Sequence, residues 1–306
     1  MTDLIDTGKY YSDCCLCPRK CHADRTSGQK GFCGMNAEIL CAKAYRHMWE
    51  EPCLTGEHGS GTVFFSGCNL KCIFCQNSGI SAGRTGTVIT TERLSEIFLK
   101  LQEQKAANIN LVTGVCFIPH IRNAIILARK NGLTIPTVYN SSGYESPEAL
   151  SLLDGFIDIY MPDMKYISPE MSGEYSKAPD YPDAAMKAIE EMFRQTGPAV
   201  FGDDGMMKKG VLVRHLVLPG SVPDSKRVLR YLHNTYGNDI HISIMRQYTP
   251  MPAVSEHPLL SRKVSDEEYE RVLEFACSIG IENGFTQEGE AVAESFIPEW
   301  DLEGLT

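Results

Sequence analysis

An open, partial (β/α)6 barrel behind a cysteine-rich segment is the fold that the 306-residue sequence predicts, from three observations. Six short apolar runs follow residue 60, at 62–67, 109–114, 135–140, 156–161, 211–218 and 241–247. A helical pattern follows each run, so the strands are expected to pair in parallel through right-handed crossovers. Six such units fall short of the eight that close a TIM barrel. Third, ten of the twelve cysteines lie between Cys14 and Cys75, which sets the first part of the chain apart. The expected division is residues 1–59 as the cysteine-rich segment and 60–306 as the barrel with a C-terminal helix and tail, the barrel proper filling about 60–285.

The elements are justified in chain order. Leu94, Ile97, Phe98 and Leu101 mark one face of a first helix after Thr90-Thr91. Residues 121–131 are apolar-rich and stop at Gly132, a C-cap residue. Ser146-Pro147 reads as N-cap and first turn of a helix through Leu153. The pattern over 182–196 stops before Gly197-Pro198, and 223–235 carries Val228, Leu229 and Leu232. A last helix opens on the capping box Ser265-x-x-Glu268 and runs through Tyr269, Val272, Leu273 and Ala276 to Gly280. Residues 167–183, rich in Ser, Pro and Gly, read as a flexible insert.

Composition excludes several classes of function. A net charge of −10 without a basic run argues against a nucleic-acid partner. No apolar run approaches membrane-spanning length, and Met1-Thr2-Asp3-Leu4-Ile5-Asp6 lacks the form of a signal peptide. A soluble, cytoplasmic protein is expected, in a compartment where thiols stay reduced and crowded cysteines mean metal rather than disulfides.

The densest chemical signal is Cys68-x3-Cys72-x2-Cys75 just after the first strand run. An iron–sulfur cube has four irons and takes about one thiolate each, so three cysteines leave one iron open for a non-protein ligand. Zinc held by these three and a distant ligand is the alternative, since zinc also favours short cysteine spacings. Upstream, Cys14 (or Cys15), Cys17, Cys21 and Cys33 could form a closed four-thiolate second site holding zinc or an iron–sulfur cluster; the alternative is a cysteine-rich loop that binds nothing or lends a ligand elsewhere. A cluster there would relay electrons, whereas zinc would only fold the segment. Cys41, Cys53, Cys116 and Cys277 read as packing residues. The histidines do not cluster; His22, His47 and His58 each read as satisfied side chains, although any of them can replace a cysteine at a metal.

In parallel α/β barrels chemistry sits at the carboxyl ends of the strands. Polar residues fall there at Thr113-Gly114, Asn140-Ser141-Ser142-Gly143, Asp163-Met164-Lys165 and Arg246-Gln247. Extended backbone places Asp163 and Lys165 on one face, with Met164 on the other. The same alternation separates Arg214 from His215, one of which is expected to reach the interior.

The cysteine spacing resembles the signature of the radical S-adenosylmethionine (SAM) enzymes. Gly67–Asn77, with Phe74 before the last cysteine and Gln76-Asn77 after it, is similar to the pyruvate formate-lyase activating enzyme group. Further strings carry the resemblance to activase-like proteins: Cys17-Pro18-Arg19-Lys20-Cys21, Gly31-Phe32-Cys33-Gly34, Glu51-Pro52, Tyr139–Glu145, Pro162–Tyr166 and Ser295-Phe296-Ile297-Pro298. It implies that Cys68, Cys72 and Cys75 bind a [4Fe–4S] cluster whose open iron is chelated by the amino and carboxylate groups of SAM. It also implies that Phe74 lies against the adenine, and that Asn140, Asp163 and Lys165 contact SAM or substrate. Two departures stand out: Thr113-Gly114-Val115 replaces the Gly-Gly-Glu of the activases, and Met245-Arg246-Gln247-Tyr248 replaces their histidine near the end of strand six. The implied activity is reductive SAM cleavage and hydrogen-atom abstraction, from the glycine of a glycyl radical enzyme, with flavodoxin or ferredoxin as reductant. The alternatives are a radical SAM enzyme with another substrate, and a non-catalytic iron–sulfur or zinc electron-transfer or sensor protein.

Overall fold

The computed structural model describes residues 3–287 and 298–305. Its strands are β1 (Ile39–His47), β2 (Ser60–Phe65), β3 (Thr87–Ile89), β4 (Ile109–Val112), β5 (Thr137–Ser141), β6 (Ile159–Pro162), β7 (Val200–Phe201), β8 (Met207–Leu216), β9 (His241–Met245) and β10 (Gly284–Thr286). Nine form one open path in the order β10-β9-β8-β6-β5-β4-β2-β1-β3, with β7 paired to β8. From β2 to β10 every neighbour on that path is parallel. The expected partial barrel is therefore present, with its six strands extended by the short β10.

Helices Thr91–Glu103, Ile118–Lys130, Tyr181–Thr196, Val222–Tyr236 and Asp266–Ser278 fill the predicted intervals. Local signals set their starts. Thr90 accepts from the backbone N–H of Arg93 at 3.1 Å, and the Ser265/Glu268 capping box is formed. The interval after Ser146 holds one α-turn, Pro147–Leu150, continued as a 3-10 turn to Leu153.

Three departures matter for the site. β1 pairs antiparallel with β2, so the cysteine-rich segment is joined to the barrel sheet. The insert at 167–183 is ordered, with Ser168 capping a helix at Pro169–Ser176 and Tyr175 and Tyr181 buried. And a short helix, Pro52–Thr55, plugs the barrel floor: Cys53 and Leu54 pack against Val138, Ile159, Met161 and Leu212. The packing role expected of Cys53 and of the buried Cys41 stands, but Cys277 is exposed on its helix. It lies one position off the buried stripe of Val272 and Ala276, and that is enough to turn it to solvent.

Residues 298–305 return to β1. The buried Lys43 ammonium meets Asp301 and Glu303 at 3.0 and 3.1 Å, and Trp300 packs edge-on against Phe64. Of the tail string, 295–297 lie outside the described residues. Among the described residues no helix is long and apolar enough to cross a membrane.

Candidate active site

The cysteine loop leaves β2 through Gly67, whose φ of 85° favours glycine and where a β-carbon would collide with Met35. The loop is held from outside by the helix of the ordered insert. Lys71 N–H donates to Ser176 O at 3.2 Å, Ile73 N–H to Tyr175 O at 2.9 Å, and Cys72 Sγ lies 3.0 Å from Ser176 Oγ. Cys68 Sγ accepts from Leu70 N–H at 3.4 Å, and Cys75 Sγ lies 3.6 Å from Ser81 Oγ. Burial pushes the Cys68 thiol up to about 12 and raises Cys72, so both hold their protons until a metal displaces them.

Cys72 and Cys75 open onto a cavity of about 250 Å³ at the carboxyl ends of the strands. Phe74, Asn140, Asp163 and Lys165 all line it. Phe74 stands edge-on to Tyr248, with ring centroids 5.9 Å apart. Asp163 sits at the centre of a charge network. Its carboxylate accepts from Lys165 Nζ at 2.6 Å and from Arg214 Nε at 3.0 Å. Arg214 also donates to Asn140 Oδ1 at 2.7 Å. Side chains 163 and 165 are only 15% and 19% exposed, so this is a walled ion pair and not a solvated rim contact. Burial alone would raise the Asp163 carboxyl, but the two cations bring it below the usual aspartate value.

Of the strand pair on β8, Arg214 is the one that reaches the interior. His215 takes the other face, where Met164 O at 2.8 Å and Ser225 Oγ at 2.9 Å fix its ring nitrogens. Sequence reasoning missed Glu50. The floor plug lifts it into the barrel, where it accepts from Asn110 Nδ2 at 3.0 Å and Asn140 Nδ2 at 3.4 Å and stands 3.6 Å from Arg214. Its only trace in the sequence is its place before Glu51-Pro52. His47 and Trp49 line the same cavity. After β4, Thr113 adopts a left-handed φ of 61° and Val115 is buried, so no acid reaches the cavity from the position of the activases' glutamate.

Burial raises the Glu50 carboxyl from 4.5 to about 7 against the opposing charge of Arg214. A carboxyl raised on folding favours the native state below its unfolded pKa and loses that advantage as pH rises through its folded value. Relative to Glu50→Gln, the wild type should lose stability between about pH 4.5 and 7, with a constant gap above. Thermal midpoints of both proteins at pH 5 and pH 8 check this; an unchanged gap would mean that Glu50 is ionised throughout.

Of the upstream cysteines, Cys14, Cys17, Cys21 and Cys33 line one small cavity, and Cys116, expected to be a packing residue, joins them. Cys15 points away, with its Sγ 3.6 Å from His22 Nδ1, which meets Asp13 at 2.8 Å.

Solved structures share the fold at low identity. SuiB of Streptococcus suis, bound to its precursor peptide SuiA, matches 74% of this chain with a TM-score of 0.52 and 14% identity. The FeFe-hydrogenase maturase HydG of Carboxydothermus hydrogenoformans matches 77% with a TM-score of 0.51 and 13% identity. The chain spans about half of each, 47% and 56%. An uncharacterized protein of Methanocaldococcus jannaschii is 28% identical over 274 residues, which cover 87% of this chain and 75% of that protein. The family model of the radical SAM superfamily matches residues 62–232, from the first parallel strand through the cysteine loop to the helix after β8, and the chain belongs to that superfamily.

Proposed function

We propose that this protein is a radical SAM oxidoreductase of the cytoplasm that abstracts a hydrogen atom from a protein glycine, generating a glycyl radical on a partner enzyme. The observation that carries a catalytic reading is the cavity: two of the three loop cysteines face a chamber ringed by Asp163, Lys165, Arg214 and Glu50. An electron-carrying or sensing protein has no use for a walled charge network beside its thiolates. Family membership implies a [4Fe–4S] cluster and SAM, and the residues present fit them: three thiols stand on one loop, and among the described residues no cysteine from outside that loop lines the chamber. When bound, the cluster and SAM would supply reductive cleavage of SAM, with one electron from a flavodoxin- or ferredoxin-class reductant, to methionine and a 5′-deoxyadenosyl radical that would take a hydrogen atom from the substrate.

The chain's own residues orient that chemistry. Lys165 and Arg214 are the cations for the SAM carboxylate, and Phe74 with Tyr248 offers an aromatic wall for the adenine. Among the described residues the acids that reach the chamber are Glu50 and Asp163, so the hydrogen-bond acceptor for the amino group comes from the rim and floor of the barrel rather than from the turn after β4. That turn, and Gln247 in place of a histidine, favour a second reading: a radical SAM enzyme acting on a substrate other than an activase glycine. Anaerobic incubation of the reduced, iron-loaded protein with SAM should release 5′-deoxyadenosine and methionine. A candidate glycyl radical enzyme in the same mixture should give a protein radical by electron paramagnetic resonance. Cleavage without any protein radical supports the second reading; no cleavage by cluster-loaded protein overturns both.

A further inference from the structure

The buried charge of the N-terminal segment lacks its counter-ion. Arg25 is only 1% exposed and is among the largest fully buried side chains of the described residues. Its guanidinium donates to Asn36 O at 2.6 Å, to Cys116 O at 2.9 Å and to Cys14 Sγ at 3.6 Å, and it stacks on Tyr11. Arg19 lines the same cavity, donating to Asn69 O at 2.9 Å and lying over Phe32 at 4.0 Å. Among the described residues neither arginine meets a carboxylate. Arg19 Nη2 and Asn69 Oδ1 are also buried without a hydrogen-bond partner. Arg19 is half-buried, but an uncompensated buried cation such as Arg25 costs several kcal/mol, so its anion must come from what faces the two arginines. What faces them is sulfur: Cys14, Cys17, Cys21, Cys33 and Cys116.

We propose that Cys14, Cys17, Cys21 and Cys33 hold a second, closed [4Fe–4S] cluster whose negative charge is matched by Arg25 and Arg19. This reading does not rest on the SAM chemistry of the barrel. Four thiolates around such a cluster leave a net negative charge, the complement the two guanidinium groups require. Gly31 supports it sterically, since a β-carbon there would stand 3.1 Å from Cys21 Sγ and 3.4 Å from Cys33 Sγ. Cys116 is the fifth sulfur. It follows β4 and lines the same cavity as Cys33, so we take it to brace the centre against the barrel rather than to serve as a ligand.

Spacing favours a cluster over zinc. The sulfurs of a tetrahedral zinc site sit roughly 3.8 Å apart, given a Zn–S bond of about 2.3 Å. Among the described residues, Asp13, Cys15 and His22 are the one group of three or more metal-binding side chains whose ligand atoms all converge within 4.8 Å. No three of the five sulfurs therefore do so, and neither do Cys68, Cys72 and Cys75 on the barrel loop. The exposed Asp13–His22 pair beside Cys15 has no buried charge to balance and is left as a surface contact.

The test uses the full chain with Cys68, Cys72 and Cys75 all replaced by Ala, purified anaerobically. About four irons with matching sulfide per chain, and their charge-transfer absorption, are expected to remain. Adding Cys33→Ala should remove them, while adding Cys15→Ala or Cys116→Ala should not. About one zinc in place of iron would overturn the cluster, and a folded, metal-free triple variant would overturn the site. Loss of iron in Cys116→Ala would overturn the choice of ligands. Because Cys33→Ala also removes a buried side chain, Arg25→Met gives an independent reading: its remaining cluster should have a more negative reduction potential than that of Arg25→Lys, and equal potentials would overturn the charge pairing.

Discussion

Replacing Cys72 by Ala should remove about four irons per chain and reduce SAM cleavage to background, while the barrel stays folded. Two thiolates are too few to hold a cube, and the loop offers no substitute, since the neighbours of Cys72 Sγ and Cys75 Sγ are the hydroxyls of Ser176 and Ser81. The fold survives because the loop is pinned through its backbone. Ser176 O and Tyr175 O accept from Lys71 and Ile73 whether or not metal is present. The substituted thiol is also raised by burial, so Ala removes a group that is neutral in the metal-free protein and adds no unpaired charge. Iron analysis, 5′-deoxyadenosine release and a thermal melt of the metal-free protein read the three parts separately. Retained turnover would place the cluster elsewhere. A collapsed melt would mean that the cysteine also holds the loop.

The barrel was legible because short apolar-rich runs alternate with helical patterns along the chain, the rhythm of a parallel sheet joined by helical crossovers. β1 was not. Ile39–His47 carries Lys43 in its middle, and that lysine is buried only because the tail brings Asp301 and Glu303 to it from more than two hundred residues away. The insert at 167–183 misled for a related reason. Its serines and glycines read as loop, but Ser168 caps a helix and Tyr175 and Tyr181 anchor it, tertiary contacts that composition cannot register.

The site divides along the same line. Cys68, Cys72 and Cys75 are a local spacing, and Asp163 and Lys165 share a face by strand alternation, so both were readable. Arg214 was half-readable, because alternation separated it from His215 without saying which faces inward. Glu50 and Cys116 were not readable. Glu50 enters the chamber on a floor plug formed by packing Leu54 under the barrel, and Cys116 shares a cavity with Cys33 across 83 residues of chain. Neither placement leaves a periodic signal.

Asp163→Asn should destabilise the protein by about 3–5 kcal/mol and slow SAM cleavage or weaken SAM binding by about tenfold or more. The carboxylate is shared: Lys165 at 2.6 Å and Arg214 at 3.0 Å both rely on it, and both are walled in. Asn is nearly the same shape and can still accept from one of them, so the loss is of charge rather than volume. The nearest remaining anion is Glu50, 3.6 Å from Arg214, and burial holds its own carboxyl up to about 7, so it compensates incompletely. Two cations are then left facing each other beside Cys72. If charge is the cause, removing one cation should restore part of the loss, so Asp163→Asn with Lys165→Met should be more stable than Asp163→Asn alone. The pH dependence gives the sign independently. A carboxyl lowered on folding contributes stability above its unfolded pKa, and that contribution disappears as pH falls through its folded value. The gap between wild type and Asp163→Asn should therefore be full at pH 7 and shrink below the usual aspartate range. Urea melts of the three proteins at pH 7, with the wild type and single variant repeated near pH 3, read both effects; equal stabilities and an unchanged SAM affinity would show that the pair neither bears charge for the fold nor touches the cofactor.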